Sequence, residues 1–260
     1  MQQITLTFNA DAVAAPAQLA AREANEVVAF SLLSIATGDL TNPPEPNVPG
    51  KMHYLIKAPD RTAEERKAAY TNWILAKGIH ELARGIRVTL EEAFLFVEGL
   101  KIGSGQMTFG KLNELIAAIR ERANKRNFPD LITDVNKELK EPLSFLGEFM
   151  SLQKVRNCLE HRAGLVGAAD VDDTQTLILN LPRIKAYVIQ NDQEIEIVPP
   201  FHVEADTMIH FKRVTRTRTY SLGERVTIDA ADFNEMAFAC SLFASDLASK
   251  LPVTQGPTYV

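Results

Sequence analysis

Between Pro142 and Gly164 the hydrophobic pattern of the chain changes character. On an ideal helix, at about 100° per residue, Leu143, Leu146, Phe149 and Met150 fall on the stripe that Gln153, Arg156, Asn157, Glu160 and His161 occupy further along. Leu152, Val155 and Leu159 continue the neighbouring apolar face, so these polar groups begin at the border of the buried surface. A buried or half-buried Arg or His must be hydrogen-bonded or paired, which marks this stretch as a candidate site.

Ahead of it the spacing is helical almost throughout. Gln3 to Asn9 alternates Ile4, Leu6 and Phe8 with polar neighbours and predicts a short half-buried strand. Asp11 opens a helical segment that tolerates Pro16 only near its start and stops at Gly38. Asn42 to Gly50 is a proline-rich connection, and Met52 to Lys57 reads as a small strand or an extended arm. Thr62 with Glu65 is a capping-box pattern, followed by Ala69, Trp73, Leu75, Ala76 and Ile79 at helical spacing. Thr89 with Glu92 repeats that signal and predicts a second helix start. Thr108 opens a segment with Leu112, Leu115, Ile116 and Ile119 on one face, Asp130 to Lys140 adds a short helix, and Pro142 suits the first turn of the next.

After Gly164 the period falls to two. Leu177, Leu179 and Leu181, then Ile184, Ala186 and Val188, then Glu194 to Val198 alternate in strand fashion, with Asn191-Asp192 as a hairpin turn. Met208 to Tyr220 and Arg225 to Ile228 flank Ser221 to Glu224 and read as a second hairpin, and Asp229 caps a final helix that ends before Pro252. The pattern predicts an α+β fold: a mainly helical bundle, an antiparallel β section and a C-terminal helix. Three segments follow: 1–61, with the first strand, helix and proline-rich connection; 62–165, the helical core; and 166–260, the β section and closing helix, packed with the core as one unit.

Composition narrows the function. The 260 residues are 46% hydrophobic and 23% charged, with a net charge of −5, which argues against a surface devoted throughout to phosphate neutralisation. Two local basic clusters stand out: Lys111, Arg120, Arg122, Lys125 and Arg126, and Lys212, Arg213, Arg216, Arg218 and Arg225. The apolar run Val27 to Ala36 is far shorter than the roughly 18 residues of a membrane span. No basic, then apolar leader opens the chain, and two cysteines provide no disulfide framework, so a reducing cytoplasmic setting without a membrane is expected.

Several chemistries fail on inspection. Gly105 to Lys111, GQMTFGK, fits the first seven positions of a phosphate-binding loop, but Leu112 stands where a Ser or Thr is needed and no strand precedes it. The five histidines are scattered without a His-Glu-x-x-His helix, so no metal and no cofactor is expected. Cys158 beside Val155 and Leu159 reads as packing. His210, Lys212, Arg216 and Arg218 share one face of a strand, which is either a charge-protected edge or an RNA contact.

The sequence Arg156-Asn157-Cys158-Leu159-Glu160-His161 carries more information. Arg followed by His after four to six residues is expected about once by chance in this composition, but requiring Asn directly after Arg lowers the expectation to about 0.04. RNCLEHRAG resembles the Arg-Asn-x-x-x-His signature of HEPN domains (higher eukaryotes and prokaryotes nucleotide-binding), and Thr108 to Leu112, TFGKL, resembles a segment of many bacterial HEPN-like proteins. The resemblance covers roughly Thr62 to Gly164.

It implies a helical bundle that pairs through the motif helix, and either a metal-independent endoribonuclease of the toxin or phage-defence type, with an antitoxin or other protein partner, or a silent module that binds protein, nucleotide or nucleic acid. Carried to this chain, His161 is general base or acid, Arg156 holds the phosphate, and Asn157 orients His161. Arg156 and His161 diverge by about 140° with about 7.5 Å of rise, so one helix forms a poor pocket and a two-fold pair a better one. Leu146, Phe149 and Met150 are the stripe for that pairing. Glu160, one turn from Arg156, either neutralises it in competition with phosphate or positions it.

Overall fold

The computed structural model describes residues 9–43, 59–102, 107–198, 202 and 206–252; the expected strand at Gln3 to Asn9 and the segment Met52 to Lys57 lie outside them but for Asn9. Local capping sets most helix starts. Asn9 accepts from Asp11 N to begin α1 (Ala10–Thr37), and Thr62 and Glu65 close the full capping box on α2 (Ala63–Leu100). Thr108 accepts from Lys111 N to begin α3 (Phe109–Lys125), and Asn127 does the same from Asp130 N for α4 (Phe128–Lys137). α5 (Leu146–His161) leads into β1 (Thr176–Gln190), β2 (Gln193–Glu196) and β3 (His210–Ser221), and Asp229 caps α6 (Ala230–Lys250). The α+β expectation therefore holds: among the described residues, helices dominate, with one three-stranded antiparallel sheet of order β2-β1-β3 and a closing helix.

Four expectations are corrected. Thr89 does not start a helix; α2 runs through it for 38 residues, about 57 Å at 1.5 Å per residue. The Thr89 hydroxyl is fully buried and accepts Ala17 N at 3.0 Å. That bond also accounts for Pro16, which lies well inside α1 rather than at its start. A proline interrupts the helical ladder, and the next N–H is taken up by the neighbouring helix. Within α2, Gly78 and Gly85 are the points where helices meet. A Cβ on Gly85 would stand 2.4 Å from Ala20 Cβ and 3.3 Å from Pro16 O, and one on Gly78 would stand 2.4 Å from the Phe233 ring.

Pro142 does not open α5. Asn136 Oδ1 accepts Leu143 N and the Asp246 carboxylate accepts Ser144 N, while Phe145 takes a left-handed φ of 58°, so the helix begins only at Leu146. Finally, Ser221 to Glu224 is a turn, but Arg225 to Ile228 is not the second arm of a hairpin with β3. β3 pairs along its length with β1, and Arg225 makes a single bridge to Leu165. The Asn191-Asp192 turn is as expected, both residues having positive φ (52° and 61°) between the paired ends of β1 and β2.

A single apolar cluster draws residues from α1, α2, α4, α5, the sheet and α6, so all three sequence segments contribute to one core. α6 lies against α1, α2 and β1, and places Phe243 at 4.6 Å from Phe149 of α5, ring centre to ring centre. β1 carries β2 only from Tyr187 onward; nearer its start, Ser151 of α5 accepts Asn180 N at 2.9 Å. This contact and the buried Val155 and Cys158 fix the polar end of α5 on the body of the protein. No described helix is long and apolar enough to cross a membrane.

Candidate functional site

The C-terminal half of α5 brings Arg156, Glu160 and His161 together, and α2 adds His80. The Arg156 guanidinium is ion-paired with Glu160 Oε2. His80 Nδ1 and His161 Nε2 each lie 3.9 Å from the same oxygen. One carboxylate oxygen is thus approached by a guanidinium and two imidazoles. His161 is the most open of the four, with its side chain 59% exposed, against 24% for Arg156, 34% for Glu160 and 29% for His80.

Asn157 has a different task from the one expected. Its Oδ1 accepts Gln153 Nε2 and an Arg156 N–H, both at 3.1 Å. Helical side chains lean back towards the N-terminus, which carries Asn157 towards Gln153, and Arg156 rather than His161 is the group it orients. Of the apolar start of α5, the stripe expected to serve pairing, Phe149 is buried against Phe243, while Leu146 and Met150 are half-buried against the core.

Arg162, next to His161, is fully engaged elsewhere. Its Nε donates to Asp170 Oδ2 at 2.5 Å and its Nη2 pairs with Oδ1, while Gly167 N donates to the same carboxylate at 2.9 Å. This clamp closes the turn that follows α5. Cys158 lies behind it; burial, followed by the Asp170 carboxylate, pushes its thiol up to about 11, so at neutral pH it is a packed thiol and not a nucleophile.

The second set of candidates, Lys212, Arg216 and Arg218, shares a face of β3 as the alternation predicts, but the face is charge-balanced. Lys212 pairs with Glu194, Arg216 with Asp232 and Glu235, and Arg218 with Asp229 and Asp232. Asp232 is 1% exposed at the start of α6. These arginines fasten the sheet to α6. The α3 cluster is balanced in the same way, by Glu114, Glu92, Glu98, Glu121 and Asp134. Of the phosphate-loop pattern at Gly105 to Lys111, Gly105 and Gln106 lie outside the described residues, Thr108 is a helix cap, and the described element before it is the helix α2.

His80 is the member of the site that the sequence did not reveal. It is one of five scattered histidines, and only the packing of α2 on α5 brings it to Glu160. The pairing of Arg162 with Asp170 likewise depends on the turn after the helix.

Two carboxylates near the ends of α5 carry an acid-stability signature. Burial works to raise Asp170, but the Arg162 guanidinium and Gly167 N–H outweigh it and hold the carboxyl below its ordinary value. Burial likewise opposes Asp246, and Lys250 with the N–H and O–H of Ser144 lower it overall. A depressed folded value means that the stabilisation is complete above the unfolded value of about 3.9 and is lost as pH falls through the folded one. The melting temperature should hold steady at neutral pH and drop below about pH 4, and Asp246→Asn should lower it at neutral pH while flattening the acid drop. An unchanged acid slope in that variant would contradict the assignment.

A scan against family models, a search of curated proteins and a search of solved structures each returned no match to this chain. The resemblance to HEPN domains thus stands on Arg156, Asn157 and His161 and on the TFGKL segment alone.

Proposed function

We propose that the protein is a metal-independent endoribonuclease of the HEPN type, acting in the cytoplasm as a homodimer through the motif helix. The observation that carries this reading is the convergence of Arg156, His161 and His80 on one anionic oxygen. The same donors suit a phosphodiester: a forked permanent cation for the phosphate oxygens and imidazoles, which can both accept and donate a proton. His161 is open to an incoming strand. The toxin or phage-defence role, and a protein partner that restrains it, belong to the same proposal. The test is a purified protein mixed with RNA, and with DNA of the same sequence, in excess chelator. RNA should be cut and DNA left intact; intact RNA, or cleavage that needs added metal, would refute the reading.

A second reading has its own support. Arg156 is neutralised by Glu160, which favours a catalytically silent module that binds protein, nucleotide or nucleic acid. Glu160→Gln separates the two. If Glu160 competes with phosphate for Arg156, this substitution should tighten RNA binding several-fold and preserve or raise cleavage. A variant that still neither binds nor cuts RNA would favour the silent module.

A further inference from the structure

The cluster contains a second imidazole that the motif does not supply. His80 Nδ1 and His161 Nε2 share Glu160 Oε2 at 3.9 Å each, so these nitrogens are at most about 8 Å apart, within the reach of hydrogen bonds of about 2.6–3.2 Å to two oxygens on opposite sides of one phosphorus. We propose that His80 and His161 form an acid–base pair within a single chain, with Glu160 Oε2 marking the seat of the scissile phosphate between them. The inference rests on the ribonuclease reading, and it makes each site of a dimer self-contained.

The ionisable groups that meet at Glu160 are Arg156 and His161 from α5 and His80 from α2. His161, on the open side, has room for the nucleoside that carries the 2′-hydroxyl. It takes the hydroxyl proton as the 2′-oxygen bonds to phosphorus. The bond from phosphorus to the 5′-oxygen breaks, and protonated His80 gives its proton to that oxygen. One proton is removed and one returned, leaving a 2′,3′-cyclic phosphate and a 5′-hydroxyl. Arg156 follows the charge on the non-bridging oxygens, displaced from Glu160 by the phosphate.

The full chain, with His80→Ala, His80→Gln and His161→Ala, is assayed on an ordinary RNA and on one with sulfur replacing the bridging 5′-oxygen at a single linkage. A thiolate leaves without a proton. His80→Ala and His80→Gln should cut ordinary RNA at least about 100-fold more slowly, lose the alkaline limb of the pH–rate profile, and cut the sulfur linkage within a few-fold of wild type. His161→Ala should fail on both. If the His80 variants lose equally on both linkages, or lose on neither, the pairing is overturned while the ribonuclease reading stands. If wild type cuts neither substrate, both are overturned.

Discussion

Replacing His161 with alanine is expected to reduce RNA cleavage by about 10²–10⁴-fold, the range for loss of a positioned proton-transfer group, with little effect on folding. The two halves of this expectation have separate grounds. His161 is 59% exposed and, among the described residues, its ionic contact is the 3.9 Å approach to Glu160, so removing the ring leaves no cavity and no buried group unpaired. Exposed substitutions of this kind stay within about 0.5 kcal/mol. The proposed cleavage mechanism, by contrast, loses the more exposed of its two imidazoles. Circular dichroism and thermal melting should match wild type while the cleavage rate falls. A variant that cuts RNA at the wild-type rate would remove the motif from the mechanism.

Gly85→Ala is expected to destabilise the protein by about 2 kcal/mol, opposite in sign to the usual effect of this change within a helix. In an exposed helix interior, alanine gains about 1 kcal/mol over glycine. At Gly85 the added carbon would lie 2.4 Å from Ala20 Cβ and 3.2 Å from Ala17 Cα. The second contact is backbone and cannot rotate away. Relief requires α1 and α2 to separate at the point where Thr89 receives Ala17 N and where Cys240 of α6 touches the Ala17 and Leu82 carbonyls. Denaturant unfolding measures this directly, and Gly110→Ala, at a helical position with nothing within 4 Å of an added carbon, is the control that should be neutral or stabilising. A Gly85→Ala protein as stable as wild type would show that the helices are not in such close contact.

These two positions also show how far sequence reasoning reaches. Features enclosed within a few residues were legible: the Thr62 and Glu65 box, the Thr108 and Asp229 caps, the Asn191-Asp192 turn and the two-residue alternation of β1 and β3. Each is a local balance of hydrogen bonds or side-chain direction. Thr89 carried the same local signal as Thr62, but its hydroxyl is claimed by Ala17, 72 positions away in sequence, and a pattern of near neighbours holds no record of that. The close approach of other helices at Gly78 and Gly85 is likewise absent from the local pattern. In the site, the sequence placed Arg156, Glu160 and His161 at one end of one helix correctly. It missed His80, which enters by helix packing alone, and it misdirected Asn157, whose partners follow from the tilt of side chains along the helix.

The electrostatic picture changed most in the strand of arginines. Lys212, Arg216 and Arg218 form a basic row in sequence, yet the row faces Glu194, Asp229, Asp232 and Glu235. Substituting Arg216 or Arg218 bears first on the attachment of α6 to the sheet, and substituting Lys212 on its tie to β2. The Glu160 cluster differs: its His161 remains 59% exposed beside the Arg156–Glu160 pair.

The most direct measurement is the mass of the RNA ends left by the purified protein in excess chelator. A mechanism built on Arg156, His161 and attack by the 2′-hydroxyl predicts 2′,3′-cyclic phosphate at one new end and a 5′-hydroxyl at the other. Ends bearing 3′-hydroxyl and 5′-phosphate, or RNA recovered intact, would contradict it.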